Sequence, residues 1–181
     1  MRHDLHDSLS RCRSGGTGFQ PVSDLLTIRQ RNLPHWEIGG ATYFLTFRLS
    51  RGIDSNALLA DERAVVKQAI LFWHEIRWSV HLVTIMPDHV HILATPLKST
   101  ADQWFSLSGI LHSVKRHSAR EINRRRRRIG ELWQSETFDR IVRDSAEFDE
   151  KANYILQNAV KAGLAEDGWQ YDGFWCKDSI S

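Results

Sequence analysis

The segment Met86-Pro87-Asp88-His89-Val90-His91-Ile92-Leu93 holds the side chains best suited to chemistry. Two histidines flank one bulky apolar residue where an apolar run begins. In a β-strand successive side chains alternate faces. His89 and His91 therefore share one side, while Val90 and Ile92 turn into a core. Two imidazoles side by side on a sheet make a chelating pair for a metal ion. The plainer alternative is a half-exposed strand with two incidental histidines, and the spacing alone does not separate the two.

A second reactive group comes from helix geometry. Ser145 to about Lys161 has helical periodicity, with Ser145 as the expected N-cap, Glu147 in the first turn and Gly163 as the stop. At about 100° per residue, Phe148, Ala152, Ile155 and Ala159 form one stripe, the core face. Tyr154 lies well off that stripe, and Asn158 sits one turn further on beside it. Lys151 and Lys161 border the same sector. A simple surface tyrosine is the alternative here. A phenol titrates near 10, so it is a weak nucleophile unless a metal polarises its phosphate target (value about 10). Two histidines leave coordination positions open, and the Asn158 amide oxygen suits a hard cation.

The formal net charge of the 181-residue chain is only +2, which hides a local excess. Between Leu111 and Ile129 stand Lys115, Arg116, Arg120 and the run Arg124, Arg125, Arg126, Arg127 and Arg128, eight fixed cations against the single acid Glu121. A block this dense points to a polyanion, most simply nucleic acid, against the alternative of a solvated helix end. No run approaches the roughly 20 apolar residues of a membrane span, and the polar start from Met1 to Gly18 has no signal-peptide core. Cys12 and Cys176 make no disulfide framework, so a reducing, cytoplasmic setting is expected.

These groups need elements to position them. Thr42 to Leu49 reads as a strand, Ser50 to Asn56 as a turn around Gly52 and Asp54, and Ala57 to about Trp78 as a helix. Val80–Ile85 and His89–Ala94 read as an antiparallel hairpin about Met86-Pro87-Asp88. Asp102 to about Asn123 is a second helix, with Trp104, Leu107, Leu111, Val114 and Ile122 as its apolar stripe. Thr137–Val142 is a fourth strand, and Trp169 to Trp175 is an aromatic tail that packs back on the body. The order β-α-β-β-α-β-α predicts an α+β fold: a ferredoxin-like, RRM-like antiparallel sheet with helices on one face, plus a C-terminal helix bearing Tyr154. No Gly-rich phosphate loop is present. The expected division is a flexible N-terminal tail over 1–33, a catalytic domain over 34–165 and an aromatic C-terminal tail over 166–181.

Taken together, these segments resemble the single-tyrosine HUH (His-hydrophobic-His) transposases of the IS200-like family. Within it, the similarity is greatest to transposases associated with repetitive extragenic palindromes (REP). The matching stretches are Arg31-Asn32-Leu33-Pro34-His35-Trp36, Ala41 to Phe47, Met86 to His91, Leu132-Trp133-Gln134-Ser135-Glu136, Phe138 to Asp144 and Tyr154 to Leu164. The resemblance implies that Tyr154 attacks a phosphodiester in single-stranded DNA, leaving a 5′-phosphotyrosine link and a free 3′ hydroxyl. It implies a magnesium or manganese ion held by His89, His91 and Asn158, and a DNA substrate with hairpin or palindromic structure, so that the reaction serves DNA transposition. Neither double-strand cleavage nor a nucleotide cofactor is implied. Lys115, Arg116, Arg120, Arg124 to Arg128, Arg140, Lys151 and Lys161 are the expected DNA contacts. Two departures stand out. Asn158-Ala159-Val160 replaces the usual Asn-Pro-Val, and Asp88 replaces the usual Asn before the first histidine. Asp88 is expected to tighten cation binding or to orient a histidine. The alternatives are a non-cleaving DNA or RNA hairpin-binding module and a hydrolase using activated water. A nucleoid-associated cytoplasmic location is expected, with no membrane, and the chain as monomer rather than homodimer.

Overall fold

A computed structural model describes residues 26–30, 34–51 and 57–177. Strands β1 (Leu26–Gln30) and β2 (Pro34–Ile38) pair as an antiparallel two-stranded sheet. There follow β3 (Tyr43–Arg48), α1 (Ala60–Leu71), β4 (Trp78–Ile85), β5 (His89–Pro96), α2 (Leu107–Arg125), β6 (Phe138–Ile141), α3 (Ser145–Lys161) and β7 (Phe174–Cys176). The tail expected over 1–33 lies outside the described residues up to residue 25, and its part at 26–30 is strand β1. The turn expected around Gly52 and Asp54 also lies outside the described residues.

The main sheet has the order β6-β3-β5-β4-β7, and every neighbouring pair is antiparallel. Its first four strands, with α1 and α2 interposed, form the expected split βαβ arrangement. One face carries Tyr43, Leu45, Phe47, Val80, Val83, Ile85, Val90, Ile92 and Ala94, packed against α1 and α2. The other carries Phe44, Leu82 and Leu93, packed against Phe148, Ala152, Ile155 and Ala159 of α3. The helical stripe on α3 is thus its buried face. Alternation in β4 is broken, because the register slips between Val80 and Leu82. That bulge puts Val80 and Val83 on one face and Leu82 on the other.

Several boundaries differ from expectation for local reasons. The first helix stops at Leu71, short of Trp78. Glu75 takes a left-handed φ of 56°, and Trp78 turns inward to donate its indole N–H to the Ile70 carbonyl at 3.1 Å. The second helix starts at Leu107, capped by the Ser106 hydroxyl rather than near Asp102. Trp104 therefore leaves the helical stripe and packs over Gly39, where a Cβ would sit 2.1 Å from its ring. Asp144, not Ser145, caps α3: its carboxylate accepts from the Glu147 N–H at 2.8 Å.

The aromatic C-terminal segment does pack back. β7 pairs with β4 through Leu82, Val83 and Thr84, and the Tyr171 hydroxyl donates to the Ile85 carbonyl at 3.0 Å. Cys176, at the end of β7, is buried against the same core. No helix among the described residues is long and apolar enough to cross a membrane.

Candidate active site

His89 and His91 open β5, the central strand, and both project from the face that carries α3. Their ring centroids are 4.6 Å apart at 73°. Each imidazole has one nitrogen engaged. Asp88 Oδ1 lies 2.6 Å from His89 Nδ1, and Thr46 Oγ1 lies 2.7 Å from His91 Nδ1. A carboxylate only accepts, so the Asp88 contact places a proton on His89 Nδ1, and in the neutral imidazole the lone pair falls on Nε2. His91 Nε2 is buried without a hydrogen-bond partner. An orphaned buried nitrogen costs free energy unless something binds it. This donor set therefore fits a metal ion, with Asp88 and Thr46 as the groups that orient the two rings.

His91 is only 3% exposed. Burial, then the neighbouring His89 and Arg48, push its pKa down to about 3, against an opposing pull from Asp88. It is neutral at physiological pH, so its lone pair is available without losing a proton. Arg48 Nη1 lies 3.6 Å from Asp88 Oδ2 and adds a cation at the same end of the sheet.

Tyr154 comes from α3 and is 43% exposed. Its ring meets His91 at 5.1 Å between centroids and Phe44 at 5.8 Å, both edge-on. Phe44 stacks on His91 at 5.5 Å and 18° and also meets Phe138. The helix that carries Tyr154 is tied to the sheet by Glu147. Its carboxylate accepts from Arg140 Nε at 2.6 Å, from Arg143 Nε at 3.0 Å and from the Arg143 N–H at 3.0 Å. These bonds, the backbone one first, hold its pKa down to about 2 against the effect of burial. Asn158 stands half-buried one turn after Tyr154 on α3. Among the described residues no three His, Cys, Asp or Glu side chains gather as a metal site.

The expected DNA-contacting cations divide into two groups. Lys115 donates to the carbonyls of Gln134, Ser135 and Glu136 at 3.0–3.2 Å, so its three ammonium protons serve the fold. Arg126 grips the buried carboxylate of Glu62 with two bonds at 2.5 Å and also donates to the Ala57 carbonyl. Arg125 pairs with Asp61, Arg124 with Glu121 and Arg140 with Glu147, while Arg128 reaches the Glu131 carbonyl. Acids of the chain itself thus neutralise part of the arginine run, which its local sequence concealed. Arg116, Arg120, Arg127 and Lys161 are exposed. Lys151 pairs with Glu150, and its ammonium lies 5.8 Å from the Phe44 ring centre, beside the candidate site.

Thr46, Phe44 and Phe138 lie in stretches that carry the family resemblance, but sequence patterns assign no role at the site to them or to Glu147. Thr46 and Phe44 alternate on β3 in step with His89 and His91 on β5, but only the register between the strands makes them neighbours.

Known proteins share this arrangement of elements. The family model described as "Transposase IS200 like" matches residues 61–158, more than half of the chain. A protein of Haemophilus influenzae assigned as a REP-associated tyrosine transposase is 25% identical over 99 residues, covering 51% of this chain and 56% of that protein. The chain thus spans about half the length of that curated relative. The solved structure of a REP-associated tyrosine transposase bound to a REP hairpin superposes with a TM-score of 0.65, at 19% identity, over 80% of this chain and 82% of that one. That superposition shows a common α+β fold. On the family match, this chain belongs to the IS200-like transposase family.

Proposed function

We propose that this chain cuts and rejoins single-stranded DNA beside a hairpin, through a 5′-phosphotyrosine link to Tyr154, in DNA transposition. The observation that carries this reading is the meeting of Tyr154 with His91, 5.1 Å apart between ring centres, where His91 keeps a buried, unpartnered Nε2. His89, His91 and Asn158 are the proposed ligands of a magnesium or manganese ion, which when bound polarises the scissile phosphodiester and orients it. The Asp88 carboxylate, an acceptor only, favours the His89 tautomer that leaves Nε2 free, and Thr46 Oγ1 orients the His91 ring through Nδ1. The Tyr154 phenol loses its proton as its oxygen bonds to phosphorus. The 3′ oxygen leaves, is protonated to a hydroxyl and remains available for rejoining. Phe44 packs against the rings of His91 and Tyr154 and holds them together.

The partner is proposed to be single-stranded DNA with hairpin structure; the solved relative is bound to a REP hairpin. We assign the catalytic unit to residues 34–165, with 1–33 and 166–181 as flanking segments, working as a monomer in the cytoplasm on the nucleoid. The first test is a denaturing gel for covalent protein–DNA adducts, using single-stranded hairpins from the flanks of the encoding gene, with and without manganese. A metal-dependent adduct in the wild type, absent in Tyr154→Phe, is expected. Binding without an adduct would make the chain a recognition module, and cleavage that persists in Tyr154→Phe would make it a water-using nuclease.

A further inference from the structure

The strand register lays one row of side chains across the whole face beneath α3. Phe138 pairs with Thr46, Thr46 with His91, His91 with Thr84, and Thr84 with Phe174. Antiparallel partners project to the same side. Phe138 therefore stands at the open edge of the row whose centre is His91, two strand spacings or about 10 Å away. Its ring meets Phe44 edge-on at 6.5 Å, and Phe44 touches both His91 and Tyr154. Yet Phe138 is 58% exposed. The outer part of the ring gains nothing from the core, and leaving it in water is unfavourable.

Basic side chains border this ring, each paired with an acid of the chain. Arg140 shares its strand and Arg143 follows it, both held by Glu147, and Lys151 lies over Phe44. The Arg140–Glu147 bond also ties β6 to the helix that carries Tyr154, so ring and nucleophile keep a common frame. An open aromatic face bordered by cations is how proteins hold an unpaired base together with its phosphates.

Resting on the phosphodiester chemistry proposed above, we infer that Phe138 is the stacking platform for the unpaired base adjoining the phosphodiester that Tyr154 attacks. It sets which strand geometry reaches the nucleophile. The base lies against the outer face of the ring, while its phosphate sits toward His89 and His91.

The experiment walks 2-aminopurine along the single-stranded flank of a gene-flank hairpin oligonucleotide. Binding is read in a Tyr154→Phe background with manganese, and adduct formation is followed in parallel with Tyr154 intact. Quenching at one position is expected. Phe138→Ala abolishes that quenching and weakens binding about tenfold, as expected when one base is no longer stacked, and Phe138→Trp restores both. On a probe abasic at that position, proteins with and without Phe138 bind equally. Unchanged affinity in Phe138→Ala overturns the inference. So does an equal loss on intact and abasic probes, since the ring would then merely support Phe44. So does a dimer that Phe138→Ala dissolves, because the ring would then belong to a self-interface. If the adduct still forms in any of these cases, only the platform falls. If the wild type neither binds nor forms an adduct, the proposed function falls and the platform with it.

Discussion

At the scale of single residues, the two imidazoles depend on the groups that orient them. Thr46 has one visible task at the site, its 2.7 Å contact with His91 Nδ1. Thr46→Val keeps the shape and removes that partner, leaving the His91 ring without the contact that orients it. A loss of roughly 10–100-fold in manganese affinity or adduct rate is expected, checked by titrating manganese in the adduct assay. Asp88→Asn retains an acceptor for His89 Nδ1, so its effect should be the smaller of the two. An equal or larger loss in Asp88→Asn would show that the charge of Asp88, also placed beside Arg48, matters more than its orienting bond.

At the scale of elements, the basic helix and the tyrosine helix are each braced by a buried carboxylate. Arg126→Ala leaves Glu62, 2% exposed, as an unpaired buried charge. It should destabilise the fold by about 3–5 kcal/mol, read as a lower denaturant midpoint, with little change in the salt dependence of DNA binding. Arg116→Ala and Arg120→Ala should do the opposite, leaving stability intact and lowering the salt slope by about 0.7 for each phosphate no longer neutralised. If all three variants behave alike, the division between bracing and binding cations is wrong. Glu147 sets the acid limit of the tyrosine helix. Its folded pKa of about 2 lies below the ordinary 4.5, so the folded state binds fewer protons across that interval. Its contribution is complete above pH 4.5 and is lost as pH falls toward 2. Glu147→Gln should therefore unfold more easily at neutral pH, by about 1–3 kcal/mol, and show a shallower loss of stability across the acid range. Unfolding midpoints measured from pH 7 downward check both signs.

At the scale of the whole molecule, the sheet is covered on both faces, and its second cover includes the C-terminal segment. Gly168 lies against the middle of the tyrosine helix, where an added Cβ would sit 2.0 Å from the Leu156 carbonyl oxygen. Backbone cannot yield there as a flexible side chain can. Gly168→Ala is expected to push the segment off α3, lowering the thermal midpoint by several degrees, as about 1–2 kcal/mol would in a domain this size. The adduct rate should fall with it, because the position of Tyr154 depends on α3. A midpoint unchanged from wild type would mean that the C-terminal segment braces nothing.

What the sequence determined by itself was everything carried by short-range periodicity. The two-residue alternation put His89 and His91 on one face, and the helical period took Tyr154 off the buried stripe of α3. Both patterns depend only on neighbours a few residues away, and so did the order of elements that makes the fold α+β. Tertiary structure alone decided what stands next to these groups. The pairing of β3 with β5 delivered Thr46 to His91, and the pairing of β3 with β6 placed Phe138 at the edge of the same row. The bulge in β4 and the turn at Glu75 upset local patterns for the sake of burying Trp78 and the sheet. Among the cations, Lys115 and Arg126 could not be told from Arg116 and Arg120 by charge, since their partners lie 19 and 64 residues away along the chain. Interactions of that range are set by packing and register, which no local window of sequence contains.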